Sequence, residues 1–198
     1  MINHKYKCIF IHIPRCGGTS IETALCGQDW HLIDKPTKHL IGSTAKTIYE
    51  PYWDDYFKFS FVRNPWDRMV SLSKFTYFYG VKLQNGKINF GNYFNKFYPL
   101  EIDKRSKSHL GIFKSIKNAI YLNTLNVDLD FVGRFESLQE DFNMVCNKIG
   151  ISCQQLPRIE KARNKHKHYT EYYDEETKSI VAEKYAKDIE YFGYKFGE

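Results

Sequence analysis

The sequence predicts an α/β fold with a central parallel sheet flanked by helices. Three observations predict it. An apolar, β-branched run ends at Ile13 and passes through a glycine-bearing loop into a helix-like run. The alternating phenylalanines of Phe57-Lys58-Phe59-Ser60-Phe61-Val62 lead into a second helix signal, and residues 130–136 lead into a third. Strand followed by helix, repeated, is the unit from which parallel sheets are built.

Taken in order, residues 5–13 are the first predicted strand. Cys8, Ile9, Phe10, Ile11 and Ile13 form a near-continuous apolar run, as a central strand covered on both faces requires. His12 interrupts it. A base or phosphate ligand is one reading of His12, and a buried histidine bonded to backbone is the one preferred. Pro14 then stops the strand, and Arg15-Cys16-Gly17-Gly18-Thr19-Ser20 follows. Gly17 and Gly18 let the backbone turn and approach a ligand closely, since no Cβ intervenes. The helix beginning near Thr19 points its free N–H groups and the positive end of its dipole into that loop. The Thr19 and Ser20 hydroxyls add donors, and Arg15 adds a fixed cationic fork suited to phosphate or sulfate oxygens. The pattern is that of an anion cradle; an ordinary strand-to-helix turn is the plainer alternative. Glu22 is placed in the favourable first turn of the helix, and Gly27 ends it. Residues 28–50 are expected to be a long polar connection carrying His31 and His39.

Residues 57–62 have the period of a strand. After them Asn64 is a good N-cap and Pro65 fits the first helical position. Trp66, Met69, Val70, Ser73 and Tyr77 share one stripe of that helix. Asp67 and Ser71 share another, with Arg63 just below it at the strand end, so Arg63 and Ser71 form a second candidate anion site. In a parallel sheet both strand-to-helix junctions open on the carboxyl edge, where ligands bind. Arg68 is equally well read as a structural or surface ion pair.

Residues 80–126 are less regular. Gln84-Asn85-Gly86-Lys87 is a turn, Phe90, Phe94 and Phe97 have helical spacing, and Lys104, Arg105 and Lys107 are solvated charges. The third strand, residues 130–136, leads to a predicted capping box, Ser137-Leu138-Gln139-Glu140. The helix after it puts Leu138, Phe142, Val145, Cys146 and Ile149 on one face and stops at Gly150. Residues 158–168 are a basic loop that suits either a solvated face or a lid over a charged ligand. Asp174 caps the last helix, whose Ile180, Val181, Tyr185 and Ile189 face inward.

With no internal repeat and no linker, the 198 residues are expected to form a single domain. Hydrophobic residues make up 42% of the chain, which excludes a disordered one. No segment approaches the apolar length of a membrane span. No signal peptide is evident, and five cysteines without paired metal-ligand spacing suit reduced thiols, so a cytoplasmic protein without a bound metal is expected. The net charge of +6 suits an anionic ligand. Nucleic acid is disfavoured, because the basic residues are spread along the chain and no recognised module is present.

Together the two junctions resemble the sulfotransferase superfamily, in particular the carbohydrate-type sulfotransferase family 2 and its soluble, bacterial-type members. The first is similar to the family's 5′-phosphosulfate loop, Pro-Lys-Thr-Gly-Gly-Thr-Ser. The second, Arg63-Asn64-Pro65 leading to Ser71, is similar to its 3′-phosphate motif. Later landmarks, Phe-Val-Gly-Arg-Phe-Glu-Ser-Leu and the closing Asp-Ile-Glu-Tyr-Phe-Gly-Tyr, extend the likeness from about residue 7 to residue 196. The resemblance implies a P-loop NTPase-like three-layer fold. It also implies 3′-phosphoadenosine 5′-phosphosulfate (PAPS) as donor and 3′-phosphoadenosine 5′-phosphate (PAP) as product. On this pattern Arg15, Cys16, Gly17, Gly18, Thr19 and Ser20 hold the 5′-phosphosulfate, and Arg63 and Ser71 hold the 3′-phosphate. Arg163, Asn164 and Lys165 match the late segment that approaches the cofactor.

This chain has Arg15 where the family usually has Lys, and Cys16 where it usually has Thr. An arginine supplies charge and hydrogen bonds to the bridging oxygen but gives up no proton. The reaction implied is in-line attack of an acceptor hydroxyl or amine on sulfur, with a small-molecule or saccharide acceptor. Histidine suits the base that takes the acceptor proton. His39 matches the family's placement of such a base after the first helix, and His31 is the runner-up. Two alternatives stand beside this. A PAP- or PAPS-binding protein with weak or no transfer is one. A P-loop kinase-like enzyme is the other, and it is disfavoured because Thr19 rather than Lys follows Gly18, which breaks the Walker pattern. Acceptor identity and oligomeric state are not encoded in any motif of the chain.

Overall fold

The computed structural model describes residues 1–74, 81–91, 93–94, 117–157, 159 and 167–198. In chain order the elements are β1 (Ile2–Asn3), β2 (Cys8–Ile11), α1 (Gly18–Cys26), α2 (Trp30–Ile33), α3 (Gly42–Ile48), α4 (Glu50–Trp53), β3 (Phe57–Val62), α5 (Pro65–Ser73), β4 (Lys82–Gln84), β5 (Lys87–Asn89), α6 (Tyr121–Thr124), β6 (Phe131–Arg134), α7 (Leu138–Lys148), α8 (Glu175–Lys184) and α9 (Ala186–Phe192). Short 3-10 turns occupy Lys35–Thr37, Phe135–Ser137 and Tyr169–Tyr172. The chain forms two compact units: Met1–Val62 with Thr124–Lys161, and Arg63–Asn123 with Ala162–Glu198.

The first unit holds a four-stranded sheet in the order β1-β2-β3-β6. β2, β3 and β6 are parallel, with Ile11 opposite Ser60 and Val62 opposite Arg134, while β1 is antiparallel to β2. The mostly parallel sheet with helices around it is the α/β architecture expected. β2 is buried along its whole length, as the unbroken apolar run required. The predicted strand over residues 5–13 starts later, at Cys8. Asn3 Oδ1 accepts the Tyr6 N–H at 3.0 Å and Lys7 takes a φ of 48°, so the polar residues between β1 and β2 form a turn. Phe10 stacks on Phe59 at 5.0 Å, and Phe61 meets Phe131 edge-on at 6.3 Å. A Cβ on Gly133 would come within 2.5 Å of the Phe61 ring, so glycine is what lets β6 pass it.

Residues 28–50 are not an irregular connection. They fold into α2, a 3-10 turn and α3, and α4 follows directly. Ile41, Ala45, Tyr49 and Trp53 recur every fourth residue and all are buried, which is the period of a helical face. α7 packs on β6 and buries Phe142, Val145 and Cys146, with Gly150 at φ 71° beyond its end. The expected capping box at Ser137 is not formed, since its side chain makes no cap bond. The Phe135–Ser137 turn leads the chain into the helix instead, and Asp141 Oδ2 takes the Arg134 N–H at 2.6 Å.

In the second unit, Asn64 Oδ1 accepts the Trp66 N–H at 3.2 Å and Pro65 opens α5, as expected. All of α5 except Asp67 is buried. Arg68 is not a surface charge: it is 3% exposed and donates from Nη1 to the Tyr185 hydroxyl at 2.6 Å. Asn85 and Gly86, both at positive φ, join β4 and β5 in a tight hairpin. Asp174 and Thr177 form a reciprocal capping box on α8. The predicted last helix is two, broken at Tyr185 before α9. Tyr77, Phe97, Lys104, Arg105 and Lys107, together with most of the basic loop over 158–168, lie outside the described residues.

Candidate functional site

In the first unit the chain leaves β2 and turns through Arg15, at φ 71°, and Gly17, at φ 82°. The Arg15 value is unusual for a residue with a Cβ and marks a tight, specified loop. α1 begins at Gly18 with Gly17 as its N-cap and no side-chain cap bond. Gly17 O accepts from the amides of Ser20 and Ile21. Among the described residues, the amides of Gly18 and Thr19 and the hydroxyls of Thr19 and Ser20 make no hydrogen bond to protein. These four donors belong to the first turn of α1, where a helix N-terminus favours an anion. Cys16 is buried, with Sγ 3.9 Å from the Pro14 carbonyl oxygen, and fills space.

The two glycines have a second reason to be glycines. A Cβ on Gly17 would meet Leu138 at 2.8 Å, and one on Gly18 would meet the His12 ring at 2.2 Å. Protein side chains, not open space, occupy the Cβ positions at both residues.

His12 is 3% exposed and its Nδ1 lies 2.6 Å from Glu22 Oε1. The preferred expectation of a bond from this ring to backbone is therefore corrected to include a carboxylate partner. Glu22 is fully buried on the inward stripe of α1, not displayed at the helix start. Its Oε2 accepts from Lys38 Nζ at 3.2 Å and from the Trp30 N–H at 3.3 Å. Burial raises the Glu22 carboxyl pKa, and the Lys38 charge opposes that rise. Lys38 also pairs with Asp29.

His39 follows Lys38 and is half-buried. Its Nδ1 lies 3.1 Å from the His12 carbonyl oxygen, and its ring meets the His12 ring edge-on at 4.4 Å. A carbonyl only accepts, so Nδ1 carries the proton, and in the neutral ring the basic lone pair lies on Nε2. His31 is exposed in α2, and among the described residues its ring makes no hydrogen bond.

Arg63 and Ser71 belong to the second unit. Arg63 Nε and Nη2 both reach Asp67 Oδ2, at 2.8 and 2.7 Å. Its carbonyl accepts the Tyr121 hydroxyl at 2.6 Å, and Asn64 Nδ2 donates to the Lys195 carbonyl at 2.9 Å, which fixes the turn into α5. Ser71 is buried on α5. Arg163, Asn164 and Lys165 lie outside the described residues.

A family model described as the sulfotransferase family matches residues 1–195. The chain belongs to the sulfotransferase family. Neither the search of curated proteins nor that of solved structures returned a match. Sulfotransferase activity is what membership brings in general terms, and the match spans both the β2–α1 loop and the β3–α5 junction. Among the described residues no helix of this sulfotransferase is long and apolar enough to cross a membrane.

Sequence reasoning missed Glu22 and Lys38 as parts of the site. The signal for Glu22 was present. Gly18, Ile21, Glu22 and Leu25 fall at i, i+3, i+4 and i+7, and all four are buried. A carboxylate on that stripe needs a buried partner, and a histidine interrupting the preceding apolar strand supplies one. Lys38 gave no comparable signal, because the helices around it were not foreseen.

Proposed function

We propose that this sulfotransferase moves the sulfuryl group of PAPS to an acceptor hydroxyl, on a carbohydrate or another small molecule, with His39 as base. The observation that carries the reading is the set of four donors at the head of α1 that have no partner among the described residues. They suit the 5′-phosphosulfate, with Arg15 supplying the charge that develops on the bridging oxygen. Arg63 and Ser71 are assigned to the 3′-phosphate. That assignment rests on the family likeness of Arg63-Asn64-Pro65 leading to Ser71. Arg163, Asn164 and Lys165 are assigned to the donor's approach through the family likeness alone. The P-loop NTPase-like three-layer arrangement, a single working domain and a cytoplasmic setting belong to the same proposal.

The acceptor oxygen forms a bond to sulfur as the sulfur–oxygen bond to the phosphate breaks, and PAP leaves with the bonding pair. The acceptor proton passes to His39 Nε2, the atom that the Nδ1 bond to the His12 carbonyl leaves basic. Transfer of radiolabelled sulfate from PAPS to a panel of sugars, phenols and amines tests the reading. Labelled product from the wild-type chain, absent from His39→Ala, is expected. Full activity in His39→Ala would remove the base assignment, and no product with any acceptor would leave PAP binding without transfer as the better account.

A further inference from the structure

We propose that Glu22 is a positioning residue for His39, an inference that rests on the transferase reading above. Its carboxylate is fully buried and each oxygen holds a different element. Oε1 takes His12 Nδ1 at 2.6 Å, at the end of the strand that enters the loop. Oε2 takes Lys38 Nζ at 3.2 Å and the Trp30 amide at 3.3 Å, in the segment that carries the base. Lys38 is the residue before His39, and His12 supplies both the carbonyl that fixes His39 Nδ1 and a ring packed against that of His39. The same His12 ring lies against Gly18, the first residue of the helix whose amides face the donor. One carboxylate therefore ties the candidate base to the donor loop through two short paths. A purely structural salt bridge needs only one partner; this one joins the two places whose spacing an in-line transfer depends on.

The test reads the imidazoles directly. With nitrogen-labelled histidine, the wild-type chain is expected to give His39 in the Nδ1–H tautomer; an Nε2–H tautomer overturns the proposal. Glu22→Gln keeps the shape and removes the charge. In a Glu22→Gln protein that is folded by circular dichroism, His39 is expected to lose its single tautomer. The kcat is expected to fall about tenfold or more, the size seen for outer-shell supports, with KM for PAPS little changed. An unchanged His39 tautomer in that protein overturns the proposal. Where Glu22→Gln does not fold, Lys38→Met cuts the second path alone and is expected to release the His39 tautomer, whereas Lys38→Arg keeps it. Retention in Lys38→Met overturns the proposal as well. The tautomer is read without donor or acceptor, so absence of PAP binding would count against the proposed function and not against this tether.

Discussion

Gly18 is set by what lies against it. A side chain there would need the space the His12 ring already fills, 2.2 Å from where its Cβ would be. Gly18→Ala is expected to cost about 1–3 kcal/mol, the range for forcing a methyl into a packed site, read as a lower urea midpoint. At Arg15 the expected outcome is the opposite of damage. Arg15→Lys should keep or raise the transfer rate, since either cation serves the bridging oxygen; steady-state kinetics with PAPS decides it. The cysteines divide by burial. Cys8 is buried and its thiol is pushed up to about 12, so it carries almost no thiolate at neutral pH, whereas Cys153 is exposed. A colorimetric thiol reagent should modify Cys153 first and leave Cys8 silent until the chain unfolds. At this scale the loop residues were legible because glycine pairs and arginines announce themselves. The Glu22–His12 pair was legible only by joining two separate signals, the i, i+3, i+4, i+7 stripe of α1 and the histidine that interrupts the first apolar run.

Among the elements, α6 shows how much one side chain can hold. The Asp188 carboxylate, on α9, accepts the amides of Ile120, Tyr121 and Leu122 at 2.5, 3.0 and 2.9 Å. Asp188→Ala leaves those three amides without their acceptor and is expected to cost about 3 kcal/mol, at roughly 1 kcal/mol each, measurable by denaturant unfolding. Burial raises the carboxyl pKa although the three amides oppose it. A carboxyl raised on folding stabilises most below its unfolded value, near 3.8, and that contribution is lost as pH rises through the folded value. The elements most legible from sequence were those with caps in their own residues: Asn64-Pro65 at α5, Asp174 at α8, and Gly27 and Gly150 after α1 and α7. Those missed, α2 to α4, are short, and their start signals, the Asp29 cap before α2 and Pro51 in the first turn of α4, lie in a polar run that reads as a loop. Their period, Ile41 to Trp53 in steps of four, was visible only once polar content was set aside.

Over the whole molecule, the three parallel strands, the helices that follow them and the family membership were written in the motifs, because strand-loop-helix junctions leave strong local patterns. What lay beyond reach was the pairing of β1 against β2; the turn at Asn85-Gly86 was legible, but the strands it joins were not. The net charge of +6 favours a multiply anionic ligand, and its affinity should weaken as salt rises. The central claim is that one adenosine nucleotide carrying phosphates at both its 5′ and 3′ positions is the natural occupant. Titration calorimetry of PAP into the full chain, in buffer containing EDTA, tests it most directly. The account predicts binding in the range of about 1 μM to 1 mM usual for enzyme ligands, unaffected by EDTA, and at least about tenfold weaker for adenosine 5′-monophosphate, which lacks the 3′-phosphate (one such charge-assisted contact contributing about 1.5–3 kcal/mol). No heat with PAP, or equal affinity for the two nucleotides, would contradict it.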